Sequence, residues 1–209
     1  MPFPYTVLPG DHLARIAARF GFFDERTIWD DPANAELRKL RPNPEVLLPG
    51  DVVTIPDKQP RNEEGQTDRR HTFIVRRNKL RLRIAVRDRF HVPQANLPVE
   101  LELEGDSSSP VTDGQAIVER PISPTTESGH LSALGDEVAV RVGFLDPVES
   151  RSGWKARLDN LGYAAGPVDA STPIEERSAL EELQCDFGLP VTGAPDAATL
   201  QKLLEVHGS

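Results

Sequence analysis

The tetrapeptide Leu-Pro-Gly-Asp occurs twice near the start of the chain, as residues 8–11 and again as residues 48–51. Pro followed by Gly is typical of a tight turn, because Pro presets a negative φ and Gly tolerates a positive one. A short β-branched run lies beside each copy, at residues 5–7 before the first and at residues 52–55 after the second. The repeat therefore predicts two similar turns, each joined to a strand.

The residues between the two turns have helical spacing. Four apolar residues recur at i, i+3, i+4 and i+7, on one face of a helix: Leu13, Ile16, Ala17 and Phe20. Asp11 stands where an N-cap is expected, since a carboxylate there accepts a bond from a free backbone N–H. A second helical pattern follows. Residues 1–56 are therefore predicted to fold in the order strand, helix, helix, strand.

This segment resembles the LysM family, small βααβ modules that bind N-acetylglucosamine polymers. The matching residues are Tyr5-Thr6-Val7, Pro9-Gly10-Asp11, Leu13, Ile16-Ala17, Phe20-Gly21, Leu48-Pro49-Gly50-Asp51 and Ile55-Pro56. Two features depart from the family pattern: His12 replaces the usual Thr, and residues 30–34 are an insertion. The resemblance implies peptidoglycan or a chito-oligosaccharide as the partner.

The glycan groove implied by this resemblance lies between the first turn and the loop before the last strand. Its candidate residues are Gly10, Asp11, His12, Leu13, Val46, Leu47 and Leu48. Backbone N–H and C=O groups at such turns fix a ligand's orientation, and aliphatic side chains contact its apolar face. His12 is expected to be exposed, because it lies outside the apolar stripe. The alternative is that Leu13 and Leu47 are core and that Asp11 only caps the helix.

Composition excludes several classes of function. The net charge is −9 and no segment is net basic, which argues against nucleic acid as the main partner. Cys185 is the single cysteine, so no intramolecular disulfide forms and a reducing compartment is the simplest location. No apolar run reaches membrane-spanning length, and the start lacks a secretory-signal pattern. We expect no membrane insertion, and either a cytoplasmic location or delivery by a secretion apparatus.

Residues 57–70 contain no aliphatic or aromatic residue, which predicts a polar linker. A long surface loop pinned between two modules is the alternative. Residues 71–150 then alternate with period two, which predicts an antiparallel, Ig-like β-sandwich. The alternating apolar residues are Leu80, Leu82, Ile84 and Val86, then Val99, Leu101 and Leu103. Ser128-Gly129-His130 is interpreted as a turn.

Seven basic residues lie between Arg76 and Arg89. We interpret this stripe as a solvated face whose arginines lie near the row Glu100–Glu104 on a neighbouring strand. A nucleic-acid-binding stripe is the alternative, which the acidic charge of the chain disfavours.

Residues 151–209 return to helical spacing and predict three helices. Gly162 is placed to end the first helix, and Thr172-Pro173-Ile174-Glu175 reads as a capping box that starts the second. The third helix is predicted to begin at Asp196. The predicted core residues are Trp154, Leu158, Leu161, Ala179, Leu180, Leu183, Phe187, Leu200, Leu203 and Leu204.

This unit resembles the three-helix peptidoglycan-binding domain found beside many cell-wall amidases. The matching residues are Leu158, Asn160-Leu161-Gly162-Tyr163, Gly166-Pro167-Val168-Asp169, Ala179, Gln184, Gly188-Leu189-Pro190-Val191-Thr192-Gly193, Asp196 and Thr199-Leu200. Two features depart from the pattern: residues 170–173 replace a Gly-rich turn, and Leu183 replaces a Phe. The resemblance implies that residues 151–209 bind peptidoglycan.

The order of the three parts resembles LysM and peptidoglycan-binding proteins of type VI secretion and related contractile injection systems. The phrase Arg141-Val-Gly-Phe-Leu-Asp-Pro-Val148 and the ending Val206-His207-Gly208 carry that resemblance. The sequence thus predicts a multi-domain α+β protein that binds peptidoglycan without catalysis. The alternative is a structural adaptor of the secretion apparatus that binds protein partners.

A hydrolase would need a nucleophile with its base, or a metal cluster. Cys185 is predicted to be a core or boundary thiol. Histidines 12, 71, 91, 130 and 207 are far apart in the sequence and form no metal-binding motif. We therefore expect no enzyme activity, no cofactor and no metal.

Overall fold

The computed structural model describes residues 1–59, 68–70, 72, 80–88 and 90–208. Its amino-terminal part begins with strand β1 (Phe3–Thr6) and ends with strand β2 (Val52–Ile55), which pair antiparallel. Between them lie α1 (Leu13–Arg19), α2 (Arg26–Trp29), a 3-10 turn (Pro32–Asn34) and α3 (Ala35–Leu40). The two predicted strands and the first predicted helix are observed, but the second predicted helix is divided into α2, the 3-10 turn and α3.

The second helical pattern is divided at Pro32, which has no N–H to continue α2. Asp31 starts the new turn by accepting a bond from Ala33 N at 2.9 Å. Asn34 is 1% exposed and holds this segment to β2. Its amide donates to Thr54 O at 2.8 Å and accepts from Thr54 N at 2.7 Å. The inserted stretch is therefore packed against β2.

The central part contains two antiparallel sheets. Strands β3 (Leu80–Ala85) and β6 (Ile117–Ile122) form one sheet. The other has the order β5-β4-β7-β8, from β4 (Glu100–Leu103), β5 (Asp106–Ser108), β7 (Ser128–Ala133) and β8 (Asp136–Arg141). Val118 of the first sheet and Leu101 of the second belong to one apolar cluster. The alternating strands are confirmed, and the Ig-like topology stays a prediction.

The interpretation of Ser128-Gly129-His130 as a turn is wrong, because these residues begin β7 between two neighbouring strands. A Cβ atom at Gly129 would lie 2.0 Å from the carbonyl oxygen of Glu102 on β4. Glycine at this position therefore allows the two strands to approach each other.

The predicted neighbour of the basic stripe is also wrong. Strand β3 pairs with β6, so the exposed Arg81 contacts Glu119 at 3.2 Å instead of the row Glu100–Glu104. Four members of the stripe lie outside the described residues: Arg76, Arg77, Lys79 and Arg89.

The carboxy-terminal part consists of α4 (Arg151–Leu161), α5 (Pro173–Asp186) and α6 (Ala197–His207). Gly162 ends α4 with φ 93°, and Asp196 caps α6 by accepting a bond from Thr199 N at 2.9 Å, as predicted. The fully buried leucines of these helices are Leu158, Leu180, Leu183 and Leu203. Phe187 and Leu204, predicted as core residues, are 37% and 38% exposed.

The described apolar clusters follow the predicted regions of the chain. The first cluster contains residues from the range 5–55, the second from 82–140 and the third from 148–203. The chain is thus an α+β protein with separate cores, and the domain bounds 1–56, 71–150 and 151–209 stay predictions. Most of the predicted linker 57–70 lies outside the described residues, and those described within it are exposed.

Candidate binding sites

The two Leu-Pro-Gly-Asp turns have the same geometry. Leu8 N donates to Asp11 Oδ2 at 3.0 Å, and Leu48 N donates to Asp51 Oδ2 at 2.9 Å. The intervening glycines have φ values of 83° and 99°, which glycine adopts without the steric cost of a Cβ. The prediction of two similar turns is confirmed.

Asp11 holds the first turn and does not cap α1, so its predicted role is wrong. Its carboxylate accepts bonds from Leu8 N and from the Tyr5 hydroxyl at 2.5 Å, and pairs with Arg19 at 3.0 Å. The N-cap position is occupied by His12, whose side chain makes no capping bond. Burial, together with the bond to Asp11, raises the pKa of Tyr5 to about 12. The hydroxyl therefore remains a donor at neutral pH.

His12 is 3% exposed, so the expectation of an exposed side chain is wrong. Its Nδ1 lies 2.7 Å from Glu45 Oε2, on the loop before β2. Its Nε2 is buried and has no hydrogen-bond partner within the part of the chain that the structure describes. A buried ring nitrogen without a partner costs free energy unless a ligand or water satisfies it.

The two predicted sides of the glycan groove are in contact with each other. Besides the pair of His12 and Glu45, Leu13 N donates to Pro44 O at 3.2 Å. Leu48 is half-buried, and the other six candidate residues are buried: Gly10, Asp11, His12, Leu13, Val46 and Leu47. Leu13 and Leu47 belong to the amino-terminal core cluster. Their glycan role stays a prediction.

The segment after β8 covers the first turn. A Cβ atom at Gly10 would lie 2.8 Å from the ring of Phe144, and one at Gly143 would lie 2.4 Å from Gly10 O and 3.0 Å from His12. The guanidinium of Arg141 lies 4.3 Å from the centre of the Phe144 ring, on which it stacks as a cation–π pair. The turn that carries half of the predicted groove is thus closed by residues of the central part.

Arg15 on α1 fixes this arrangement. The side chain is 6% exposed and donates to Gly10 O at 2.7 Å within its own module. It also donates to Thr126 O at 2.7 Å and to Pro124 O at 3.2 Å, in the loop between β6 and β7. One buried guanidinium therefore connects the first turn to the central sheets, a role that the helical pattern alone did not reveal.

The same junction segment contacts the helices. Asp146 O accepts a bond from Arg157 Nη1 at 2.8 Å, and Arg157 is 1% exposed on α4. Burial lowers the pKa of Arg157 to about 10, while the negative charges of Glu149 and Asp146 act in the opposite direction. The guanidinium remains charged at neutral pH and anchors the junction to α4.

In the carboxy-terminal part, α4 places a fully buried cation against α5. Lys155 is 0% exposed, and its Nζ lies 3.1 Å from Glu176 Oε1. The ammonium also donates to two carbonyl oxygens of the loop between α4 and α5, at 2.7 and 2.8 Å. Glu176 reaches back to Thr172 N at 3.0 Å, so the capping role predicted for Glu175 belongs to Glu176.

Gln184 organises the turn before α6. Its side chain is fully buried, and its Oε1 accepts bonds from Thr192 N at 2.8 Å and Gly193 N at 2.9 Å. Its Nε2 donates to the hydroxyls of Thr192 and Thr199, both at 2.9 Å. Every hydrogen-bonding position of the amide is used, so Gln184 fixes the backbone of residues 192–199 against α5.

The described residues contain no group of three or more His, Cys, Asp or Glu residues placed to hold a metal ion. Cys185 is exposed on α5, outside the core or boundary position predicted for it. A surface depression of about 500 Å³ lies between residues 98–100 and the β7–β8 hairpin, away from the predicted groove. None of the described helices is long and apolar enough to span a membrane.

Residues 151–203 match the family model of the putative peptidoglycan binding domain. The match runs from the start of α4 to Leu203 within α6, and so contains both the Lys155–Glu176 pair and Gln184. It supports the predicted peptidoglycan-binding part of the chain. Neither a curated protein nor a solved structure matches the sequence.

Proposed function

We propose that the protein is a non-catalytic peptidoglycan-binding protein whose carboxy-terminal helices supply the principal binding site. The observation that carries this proposal is the match of residues 151–203 to a peptidoglycan-binding family. The buried polar contacts of Lys155 and Gln184 support it, because they hold the loops between the helices in fixed positions. A rigid loop surface loses less entropy when it binds an extended polymer.

The amino-terminal LysM-like module is proposed as a second glycan site. Its support is the contact between the first turn and the loop before β2, and the buried Nε2 of His12, which has no partner among the described groups. Phe144 lies over Gly10 at the mouth of this site. Glycan binding there requires Phe144 to move away from the turn. Only the molecules in which Phe144 has moved can bind, so the apparent affinity equals the intrinsic affinity multiplied by the fraction of these open molecules.

Two weak sites on one chain bind a polymer more tightly than either alone, provided that both reach it at once. Peptidoglycan presents repeating glycan strands and stem peptides, so both sites find ligands on the same particle. The protein would then act as an anchor at the cell wall.

Sedimentation with purified peptidoglycan sacculi tests the principal proposal. The full chain should co-sediment, and stem peptides or chito-oligosaccharides added in excess should identify which part of the polymer is recognised. A chain that remains in the supernatant at micromolar concentration, while it is folded by circular dichroism, would contradict peptidoglycan binding.

Phe144→Ala tests the second site. Removal of the ring should raise the affinity for soluble chito-oligosaccharides about tenfold, because the open fraction increases. Phe90→Ala is the matched control, since Phe90 is 71% exposed on the central part and is not one of the predicted groove residues. Equal affinity of wild type and Phe144→Ala, at equal thermal stability, would show that Phe144 does not close the site.

The second candidate function is a structural adaptor of a type VI or related contractile secretion apparatus. The observation that favours it is the coverage of the predicted groove by Gly143 and Phe144, which suits a packed assembly component better than an open sugar site. Absence of binding to sacculi and to chito-oligosaccharides by both wild type and Phe144→Ala would favour the adaptor.

A further inference from the structure

Strand β8 is an exposed sheet edge. It is the outermost strand in the order β5-β4-β7-β8, and within the described part of the chain no strand pairs with its other side. Five of its six residues are exposed, and Val138 is 57% exposed. Proteins commonly protect such edges with charged side chains, Pro or a bulge. Strand β8 has no Pro and its pairing with β7 is uninterrupted, but it carries the charged residues Asp136, Glu137 and Arg141, which select the strands that can pair with it.

The hydrogen-bonding direction of each β8 residue follows from the bond of Val142 N to Glu127 O, at 2.8 Å. This pair continues the β7–β8 register, in which Ser128 lies opposite Arg141. Along an antiparallel ladder, hydrogen-bonded and non-hydrogen-bonded pairs alternate. The even-numbered residues of β8 therefore bond to β7. The odd-numbered residues Glu137, Ala139 and Arg141 direct their N–H and C=O groups outward.

The outward residues are complementary to themselves. When a second copy of β8 pairs antiparallel with Ala139 opposite Ala139, Glu137 of each copy lies opposite Arg141 of the other. The same register places the exposed Val138 opposite Val140, which packs against the central apolar cluster. A two-fold axis through Ala139 makes both charge pairs at once, as a symmetric interface requires.

We propose that β8 is a homodimerisation edge, at which two copies of the chain join their four-stranded sheets into one continuous sheet. The occupant is a second copy because the charge order along β8 complements its own reversed sequence. Six-residue edges bury less surface than a standard stable interface, so the dimer is weak and concentration-dependent. Dimerisation brings two carboxy-terminal domains together, and it does not depend on their ligand.

Sedimentation velocity of the full chain, from about 10 μM to about 1 mM, measures the association. The wild type should shift from monomer to dimer within this range. Glu137→Arg should weaken the dimer about tenfold or more, because each axis-related pair changes from attraction to repulsion. Arg141→Glu should weaken the dimer as well; it also removes the cation–π contact with Phe144, so circular dichroism checks that this variant is folded. An equimolar mixture of the two variants should associate again, since it contains only opposite-charge pairs.

Ala139→Pro tests the backbone contribution. Proline removes the N–H that points outward and leaves the bonds of the neighbouring residues to β7. The variant should remain monomeric with the circular dichroism spectrum of the wild type.

Glu102→Arg is the matched control, because Glu102 is exposed on the same sheet face but lies on β4, separated from β8 by β7. It should dimerise as the wild type does. A wild type that is monomeric throughout, or a dimer that is unaffected by Glu137→Arg, would overturn the proposal. So would a mixture of the two single variants that fails to associate.

Discussion

The buried pair of Lys155 and Glu176 should account for a large part of the stability of the carboxy-terminal helices. Lys155 is 0% exposed, and Glu176 is 9% exposed. Glu176 also accepts bonds from Arg151 Nη2 at 2.5 Å and from Thr172 N at 3.0 Å. The substitution Glu176→Gln keeps the shape of this side chain and removes its charge, so the buried Lys155 loses the carboxylate with which it forms an ion pair.

The expected loss is about 2–4 kcal/mol of the free energy of unfolding. Removing one partner of a buried ion pair typically costs about 3–5 kcal/mol. Lys155 retains the hydroxyl of Thr172 at 3.0 Å and two carbonyl oxygens, which lowers this cost. For a unit of about 60 residues this loss corresponds to a decrease in Tm of about 15–30 °C.

The loss should depend on pH in a direction that follows from the pKa of Glu176. Burial raises this pKa, but the bonds from Arg151, the Thr172 N–H and Lys155 outweigh burial and lower it to about 2. The unfolded value is about 4.3. When the pKa of a carboxyl is lower in the folded state than in the unfolded state, its contribution to stability is complete at pH values above the unfolded pKa. This contribution is lost as the pH falls through the folded pKa. The difference between wild type and Glu176→Gln should therefore be constant near neutral pH and shrink between about pH 4 and pH 2.

Urea unfolding followed by tryptophan fluorescence measures the effect. The chain has two tryptophans, so a Trp29→Phe background leaves Trp154, next to Lys155 on α4, as the reporter. Glu175→Gln is the matched control: it removes the same charge from an exposed position in the same helical turn. The control should change the free energy of unfolding by less than about 1 kcal/mol. A Glu176→Gln variant as stable as its control at pH 7 would refute the reasoning, and so would a loss that persists undiminished at pH 2.

Other predictions follow from burial and composition. His12→Glu places a second carboxylate beside Glu45 in a buried position, so urea unfolding should show a loss of about 2–4 kcal/mol; an unchanged midpoint would mean that the turn is open to water. Gly129→Ala should lose more than about 2 kcal/mol, because its Cβ would lie 2.0 Å from a backbone oxygen, whereas Gly114→Ala, which meets no atom within 4 Å, should be nearly neutral. Limited proteolysis followed by mass spectrometry should show the first cut within residues 57–70; a first cut elsewhere would argue for a packed linker. Incubation with peptidoglycan should release no soluble muropeptides, and release that disappears when the single cysteine is replaced would contradict a non-catalytic role.

Local features of this protein could be predicted from the sequence because they depend on neighbouring residues. Pro and Gly determine the two repeated turns, and Gly162 and Asp196 mark helix ends through their own backbone preferences and capping chemistry. Alternating apolar residues such as Leu101 and Leu103 predicted the strand β4, since side chains alternate between the two faces of a sheet.

Tertiary contacts decided the state of the predicted glycan groove. His12 lies outside the apolar stripe of α1, yet it is buried because Gly143 and Phe144, more than 100 residues later, cover the turn. Arg15 likewise bonds to Thr126 O, a partner 111 residues away. Such pairings depend on how the modules dock, and the period of a helix or strand does not contain that information.

The choice between neighbouring residues and strands also required the tertiary structure. The sequence pattern predicted that Glu175 supplies the capping carboxylate. In the structure Arg151 and Lys155 form ion pairs with Glu176, and it is the Glu176 carboxylate that caps the helix. The alternating pattern of β3 is compatible with pairing to any of several strands. Only the tertiary structure shows that its partner is β6. The sequence by itself predicted most of the strands and helices and the helix ends at Gly162 and Asp196. Contacts between distant segments determined which surfaces are covered and which, like the outer edge of β8 among the described residues, have no paired strand.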